Sequence, residues 1–221
     1  MPRTSQSINI AFRIRLHDLS SVCFLSAADK TAAEYFHDRC LQEADLLAKH
    51  PIFLLALVFE ERYSHCFDWT TGVTQSLNEI ETFTGMVPDL YQRTQVAPTK
   101  MPWLEDYDNQ LTQLHHTATA LHHCGVVFVA LEKFARFSTE TATMVESLRA
   151  NLGLPPAEEQ DRARYQEHVK FYLGKSGFMH DRVGAVTERL RTQINVVCTA
   201  LVPFCYHLIH NSSPALPHCL S

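Results

Sequence analysis

The chain has 221 residues, 46% of them hydrophobic and 19% charged, with 7 glycines and a formal net charge of -5. That length suffices for one large domain, or a small one with an elongated extension, and the composition excludes a disordered chain in favour of a helix-rich globular one. The acidic balance argues against a nucleic-acid partner, because Lys and Arg are spread among acids, as in Asp161-Arg-Ala-Arg164 and Glu188-Arg-Leu-Arg191, rather than clustered.

Taken in chain order, Ile8 to Leu16 alternates with period two, Ile8, Ile10, Phe12, Ile14 and Leu16 on one face and Asn9, Arg13 and Arg15 on the other. This predicts a short N-terminal strand, whose ladder partner would have to be Val22 to Leu25. Ser26-Ala-Ala-Asp29 has the character of a helix start, so a helix is expected from there to about Lys49. Pro51 suits the first turn of a second helix, which opens with Pro51-Ile-Phe-Leu-Leu-Ala-Leu-Val-Phe59 and continues through Glu60-Glu-Arg62. Apolar on every side for two turns, its start must be buried. A third helix is expected over Thr71 to Thr84, closed by Gly85. Pro88, Pro98 and Pro102 then mark a loop over Met86 to Trp103.

Two long amphipathic stretches follow, Leu104 to Ala150 and Pro156 to Ala200, separated by Gly153-Leu-Pro-Pro156. In the first, Leu104, Leu111, Ala118 and Gly125 recur every seven residues beside Tyr107, Leu114, Leu121 and Phe128. In the second, Val169, Ser176, Val183, Leu190 and Val197 form one row and Tyr172, Met179 and Val186 the other. These heptad rows predict an antiparallel helical hairpin. Gly174, Gly177 and Gly184 each cost about 1 kcal/mol in a helix relative to Ala, so they either admit a close neighbouring backbone or mark a bend. The predicted fold is all-α, a long antiparallel helical hairpin packed with shorter N-terminal helices. Its divisions are an N-terminal segment 1–25, a short-helix region 26–85, a linker 86–103, the hairpin 104–200 and an irregular tail 201–221.

No constellation of catalytic residues is legible. His115-His116 and His122-His123 sit seven residues apart, two turns and about 10.5 Å along a helix, out of reach of one metal ion. His116, His123 and His168 could meet only by tertiary clustering, and the His207-Leu-Ile-His210 spacing suits a metal only on a helix, which Pro203 opposes. Glu60-Glu61 and Glu79/Glu81 diverge on a helix, and Ser176 with His180 lacks a third group. Seven scattered cysteines, Cys23, Cys40, Cys66, Cys124, Cys198, Cys205 and Cys219, contain no C-x-x-C and read as reduced intracellular thiols. Arg3, Arg13 and Arg15, with no acid before Asp18, give a weak presequence-like pattern. The strongest apolar run, Pro51 to Phe59, falls far short of the roughly 20 residues of a spanning helix, and Val196 to Ile209 is interrupted by Pro203. No catalytic, cofactor-binding or metal residue is therefore nominated, and no integral membrane span is expected.

The run His50-Pro-Ile-Phe-Leu-Leu-Ala-Leu-Val-Phe-Glu60, the closing Ile80-Glu-Thr-Phe-Thr-Gly85, the long Leu- and His-rich helix and the terminal Arg189-Leu-Arg-Thr-Gln-Ile-Asn-Val-Val197 carry a resemblance. Over Val22 to Thr199 their order is similar to the cytoplasmic portion of the divergent CorA-like proteins of filamentous fungi, the last element resembling the stalk helix that leads towards the membrane. The resemblance implies a non-catalytic helical scaffold or regulatory region of a cation transporter, cytoplasmic or peripheral at a membrane, with Mg2+ as the implied ion. The Gly-Met-Asn pore signature of that family is missing, since Gly85-Met86 is followed by Val87, so no pore or metal residue is carried over and the chain should not itself conduct. The pattern stops near Thr199, and Leu201 to Ser221 reads as a divergent terminus or a mis-set gene model that truncates a membrane protein. Self-association, or pairing with a partner helix, would use the heptad seams. The competing expectation is a soluble helical protein–protein interaction module unrelated to transport.

Overall fold

The structure, a computed structural model, describes residues 8–27, 30–84 and 104–211, with side chains placed for all of these except 8, 27, 32, 104–108 and 200–211. The period-two pattern does find its partner: β1 (Ile8–Ile14) and β2 (Ser21–Ala27) form an antiparallel hairpin in which Ile10 faces Leu25 and Phe12 faces Cys23. Asp18 closes the connection by accepting hydrogen bonds from the Ser20 backbone N–H (3.0 Å) and hydroxyl (2.8 Å). Leu19 next to it takes a left-handed backbone, φ 58°.

Ser26 is not a helix cap. It is paired with Asn9 in the ladder, and the first helix, α1, starts at Lys30 and ends at Gln42. The single helix expected up to Lys49 is instead divided at Glu43, with α2 over Ala44–Lys49. Pro51 lies in the turn leading into the next helix, where its missing N–H forfeits nothing: Phe53 N–H bonds to the His50 carbonyl at 2.9 Å and Leu54 N–H to that of Pro51 at 3.2 Å. The second and third expected helices are one, α3, running without interruption over Phe53–Thr84. Nothing between Arg62 and Thr71 breaks it, because Tyr63, Cys66, Thr70, Val73 and Thr74 continue one buried face at spacings of three and four. Gly85 and the expected linker over 86–103 lie outside the described residues.

The predicted hairpin is present as α4 (Leu104–Asn151) and α5 (Glu159–Asn211). Its turn is a Schellman motif: Gly153 N–H bonds to the Ala150 carbonyl (3.0 Å) and Leu154 N–H to that of Arg149 (3.0 Å), with Gly153 at φ 67°. α5 continues through Pro203 to Asn211, past the expected end at Ala200, so residues 201–211 are helical rather than an irregular tail. A proline removes one backbone donor, which a long helix can survive. The mostly all-α class holds, with the β-hairpin as its exception.

The chain forms two compact units. The first comprises residues 1–70 and 124–182. Its core includes Phe36, Phe53, Leu57, Phe59, Phe128, Ala135, Val169 and Met179, all buried, and Phe59 lies 6.3 Å from both the Phe134 and Tyr172 rings. Here α4 and α5 pack together, joined by a buried 2.6 Å hydrogen bond between the hydroxyls of Ser138 and Tyr165. The second comprises residues 71–123 and 183–221, with a core that includes Leu77, Ile80, Leu114, Leu121, Leu190 and Val197.

Most of the heptad positions are buried in this single chain, but Leu111 of the first row is 36% exposed and its row-mates Ala118 and Gly125 are half-buried. Leu114, Leu121 and Phe128 are at most 1% exposed, and Val169, Ser176, Val183, Leu190 and Val197 at most 5%. Much of the seam expected to receive a partner is covered by the chain itself, the row of Leu111, Ala118 and Gly125 excepted.

Candidate functional site

The densest polar constellation lies in the first unit around Glu60, where α1, α3 and α5 bring together residues distant in sequence. α1 presents Arg39, whose guanidinium donates to both Glu60 oxygens, from Nε at 3.2 Å and from Nη2 at 3.3 Å, while Nη1 donates to Glu43 at 3.1 Å. α5 presents His168, with Nε2 3.1 Å from Glu60 Oε2, and its one-turn neighbours Arg164 and Tyr172. Arg164 donates to Glu43 at 2.7 Å, and the His168 ring stands 5.0 Å from Tyr172 and 5.2 Å from Phe53. Burial alone would push the Glu60 carboxyl up, but the His168 and Arg39 donors outweigh it and hold it at about 2. Burial and the neighbouring carboxylate push the Tyr172 phenol up to about 12.

The described residues also hold two other polar settings and one largely apolar cleft. In the second unit the buried Glu81 is held by Arg189 Nε at 3.0 Å, Arg189 Nη2 also reaches Asn78 at 2.7 Å, and Thr84 donates to Gln193 at 2.7 Å. In the first unit buried Arg149 donates to the carbonyls of Leu16 and Pro155, both at 2.7 Å, fastening the β-hairpin connection and the α4–α5 turn to α4. A largely apolar cleft of about 240 Å³, also in the first unit, is lined by Cys23, Leu25, Phe36, His37, Cys40 and Leu54 among others. Burial raises both thiols, Cys40 to about 11.

The residues weighed in the sequence separate rather than converge. Glu60 and Glu61 take different partners, Glu61 pairing with Arg62 at 2.7 Å, and Glu79 is exposed where Glu81 is buried. His115, His116, His122 and His123 all lie on exposed positions of α4, the adjacent rings 6.4 Å apart, while His168 is engaged with Glu60. Ser176 Oγ is buried without a hydrogen-bond partner and His180 is exposed, so the i,i+4 bond between them does not form. Among the described residues no group of three or more His, Cys, Asp or Glu could hold a metal ion. His207 and His210 do fall on a helix, and their side chains lie outside those described. Cys23, Cys40, Cys66, Cys124 and Cys198 are free thiols, with Cys66 pushed by burial up to about 12.

The resolved shifts share one direction. Carboxyls move down, thiols and phenols move up, and burial drives the His50 imidazole down from its ordinary value, so each such group among the described residues is displaced away from neutrality. General acid–base work needs the opposite displacement, towards the operating pH. In the Glu60 constellation one carboxylate, bonded by Arg39 and with His168 Nε2 against it at 3.1 Å, links α1, α3 and α5. Sequence reasoning missed it because Arg39, Glu60 and His168 are related only by tertiary packing; the one sign was an acid following directly on the apolar run of α3. No protein-family model, no curated protein and no solved structure matches the chain.

Proposed function

We propose that the chain is a non-catalytic helical scaffold or regulatory region, of the kind the cytoplasmic part of CorA-like cation transporters provides, and that it does not itself conduct. The observation that carries this reading is the use of charged side chains to join helices distant in sequence, Arg39 and His168 against Glu60 and Arg189 against Glu81. The 53-residue length of α5 supports the comparison with a stalk helix. No helix among the described residues is long and apolar enough to cross a membrane, which fits a placement in the cytoplasm or against a membrane surface. Mg2+ enters by resemblance only, and no described residue is assigned to it.

A second reading, a helical interaction module with no link to transport, is favoured by the large apolar side chains left exposed on α4, Phe137 and Met144 foremost. Thermal melts followed by circular dichroism, in EDTA and in millimolar Mg2+ at several protein concentrations, separate the two. A midpoint raised by Mg2+ supports the transporter-related scaffold. A midpoint that rises with protein concentration and ignores Mg2+ sinks that relation and leaves the interaction module.

A further inference from the structure

In the first unit α4 is amphipathic twice over. Its inner face carries Cys124, Phe128, Leu131, Ala135, Ser138 and Val145, all buried. On the opposite side a second stripe follows the same helical spacing: Val126 is 53% exposed, Phe137 55%, Met144 55% and Leu148 41%. At about 100° per residue these four fall within roughly 40° of one line along the helix. From Val126 to Leu148 the stripe rises through 22 residue steps, about 33 Å or six turns, which is the length over which a helix pair can hold. Single exposed apolar residues mean little, but a row of large ones along one line of a helix, broken only by small or charged side chains, marks an interaction surface.

We propose that this stripe is a homodimer interface, in which α4 packs antiparallel on α4 of a second copy about a two-fold axis at Phe137. The sequence of the stripe is symmetric about that residue. Val126 lies eleven positions before it and Leu148 eleven after; Ala130 lies seven before and Met144 seven after, so a small side chain meets a long one. The two charges on the line select the occupant. Lys133 and Glu140, both exposed and neither in an ion pair among the described residues, flank Phe137 by four and three positions. A parallel pairing would set Lys133 against Lys133 and Glu140 against Glu140. The antiparallel pairing brings Lys133 of each copy beside Glu140 of the other, twice by symmetry. An isologous interface requires this self-complementarity, whereas a foreign helix would not.

The inference goes beyond the scaffold reading and holds with or without a link to transport, since it names a partner, a second copy of the chain, and no cation. Light scattering coupled to size-exclusion chromatography tests it at protein concentrations from about 1 to 100 µM. The expected mass is twice the 25.2 kDa of the chain. Phe137→Glu, and independently Met144→Lys, should return the monomer with unchanged helical circular dichroism, since both side chains are on the surface. Lys133→Glu and Glu140→Lys should each weaken the dimer about tenfold by placing like charges together, and the double variant should recover wild-type affinity. A monomer throughout that range, a dimer indifferent to both apolar substitutions, or a double charge variant no tighter than the singles would each overturn the proposal. Mass is blind to the cation, so a monomer here leaves any Mg2+ effect on the melt, and with it the scaffold reading, standing.

Discussion

Glu60 is where pH acts on the stability of the first unit. In the unfolded chain its carboxyl titrates near its ordinary value of 4.5, and in the fold His168 and Arg39 hold it at about 2 against the upward push of burial. A folded-state value below the unfolded one means stabilisation that is fully present above about pH 4.5 and is lost as pH falls towards 2. Urea midpoints measured from pH 6 to pH 2.5 should therefore fall more steeply in the wild type than in Glu60→Gln; equal slopes would show that the Glu60 cluster contributes nothing. None of this was legible residue by residue. The sequence shows Glu60 as half of an adjacent pair that a helix splays apart, which the structure bears out, but Arg39 and His168 reach it from 21 and 108 positions away. Local pattern carries no record of such meetings.

At the scale of the element, periodicity predicted type well and boundaries poorly. The β-hairpin partner over Val22 to Leu25 and the break at Gly153 stand where alternation and turn chemistry put them. Ser26 was misjudged because a serine suits a cap and a strand end equally, and the ladder to Asn9 decided the contest. Glycines show the same limit. At Gly174 and Gly177 an added Cβ would meet nothing within 4 Å, so these positions neither admit a close backbone nor require glycine for space. Gly174→Ala and Gly177→Ala should each stabilise by up to about 1 kcal/mol, read as a raised urea midpoint, because alanine restricts the unfolded chain and favours the helix. Gly153→Ala should do the reverse by about 1 kcal/mol, since its positive φ is one that alanine resists. A loss of stability at Gly174 or Gly177 would mean that the α5 surface is not open in solution.

Across the whole molecule, the all-α class and the long hairpin were written in the heptad rows, while the destination of those rows was not. A seven-residue repeat looks the same whether its face is covered by the same chain or by another, and burial assigns most of it here to the interior, with Leu111 left exposed. Phe59, fully buried and in ring contact with Phe134 and Tyr172, is the most exacting test of that interior. Phe59→Ala should cost about 3 to 5 kcal/mol in chemical denaturation, and a cost under about 1 kcal/mol would show that the apolar run of α3 is not packed as described.

The same run has a consequence in time. Ribosomes extend a chain at about 5 to 20 residues per second, so roughly 5 to 20 seconds separate the making of Phe59 from that of Tyr172, which covers it. Through that interval Pro51 to Phe59 is a nascent greasy segment with its roof not yet synthesised. Its first companion during biogenesis is then expected to be a chaperone that grips extended apolar peptides, released when α5 arrives.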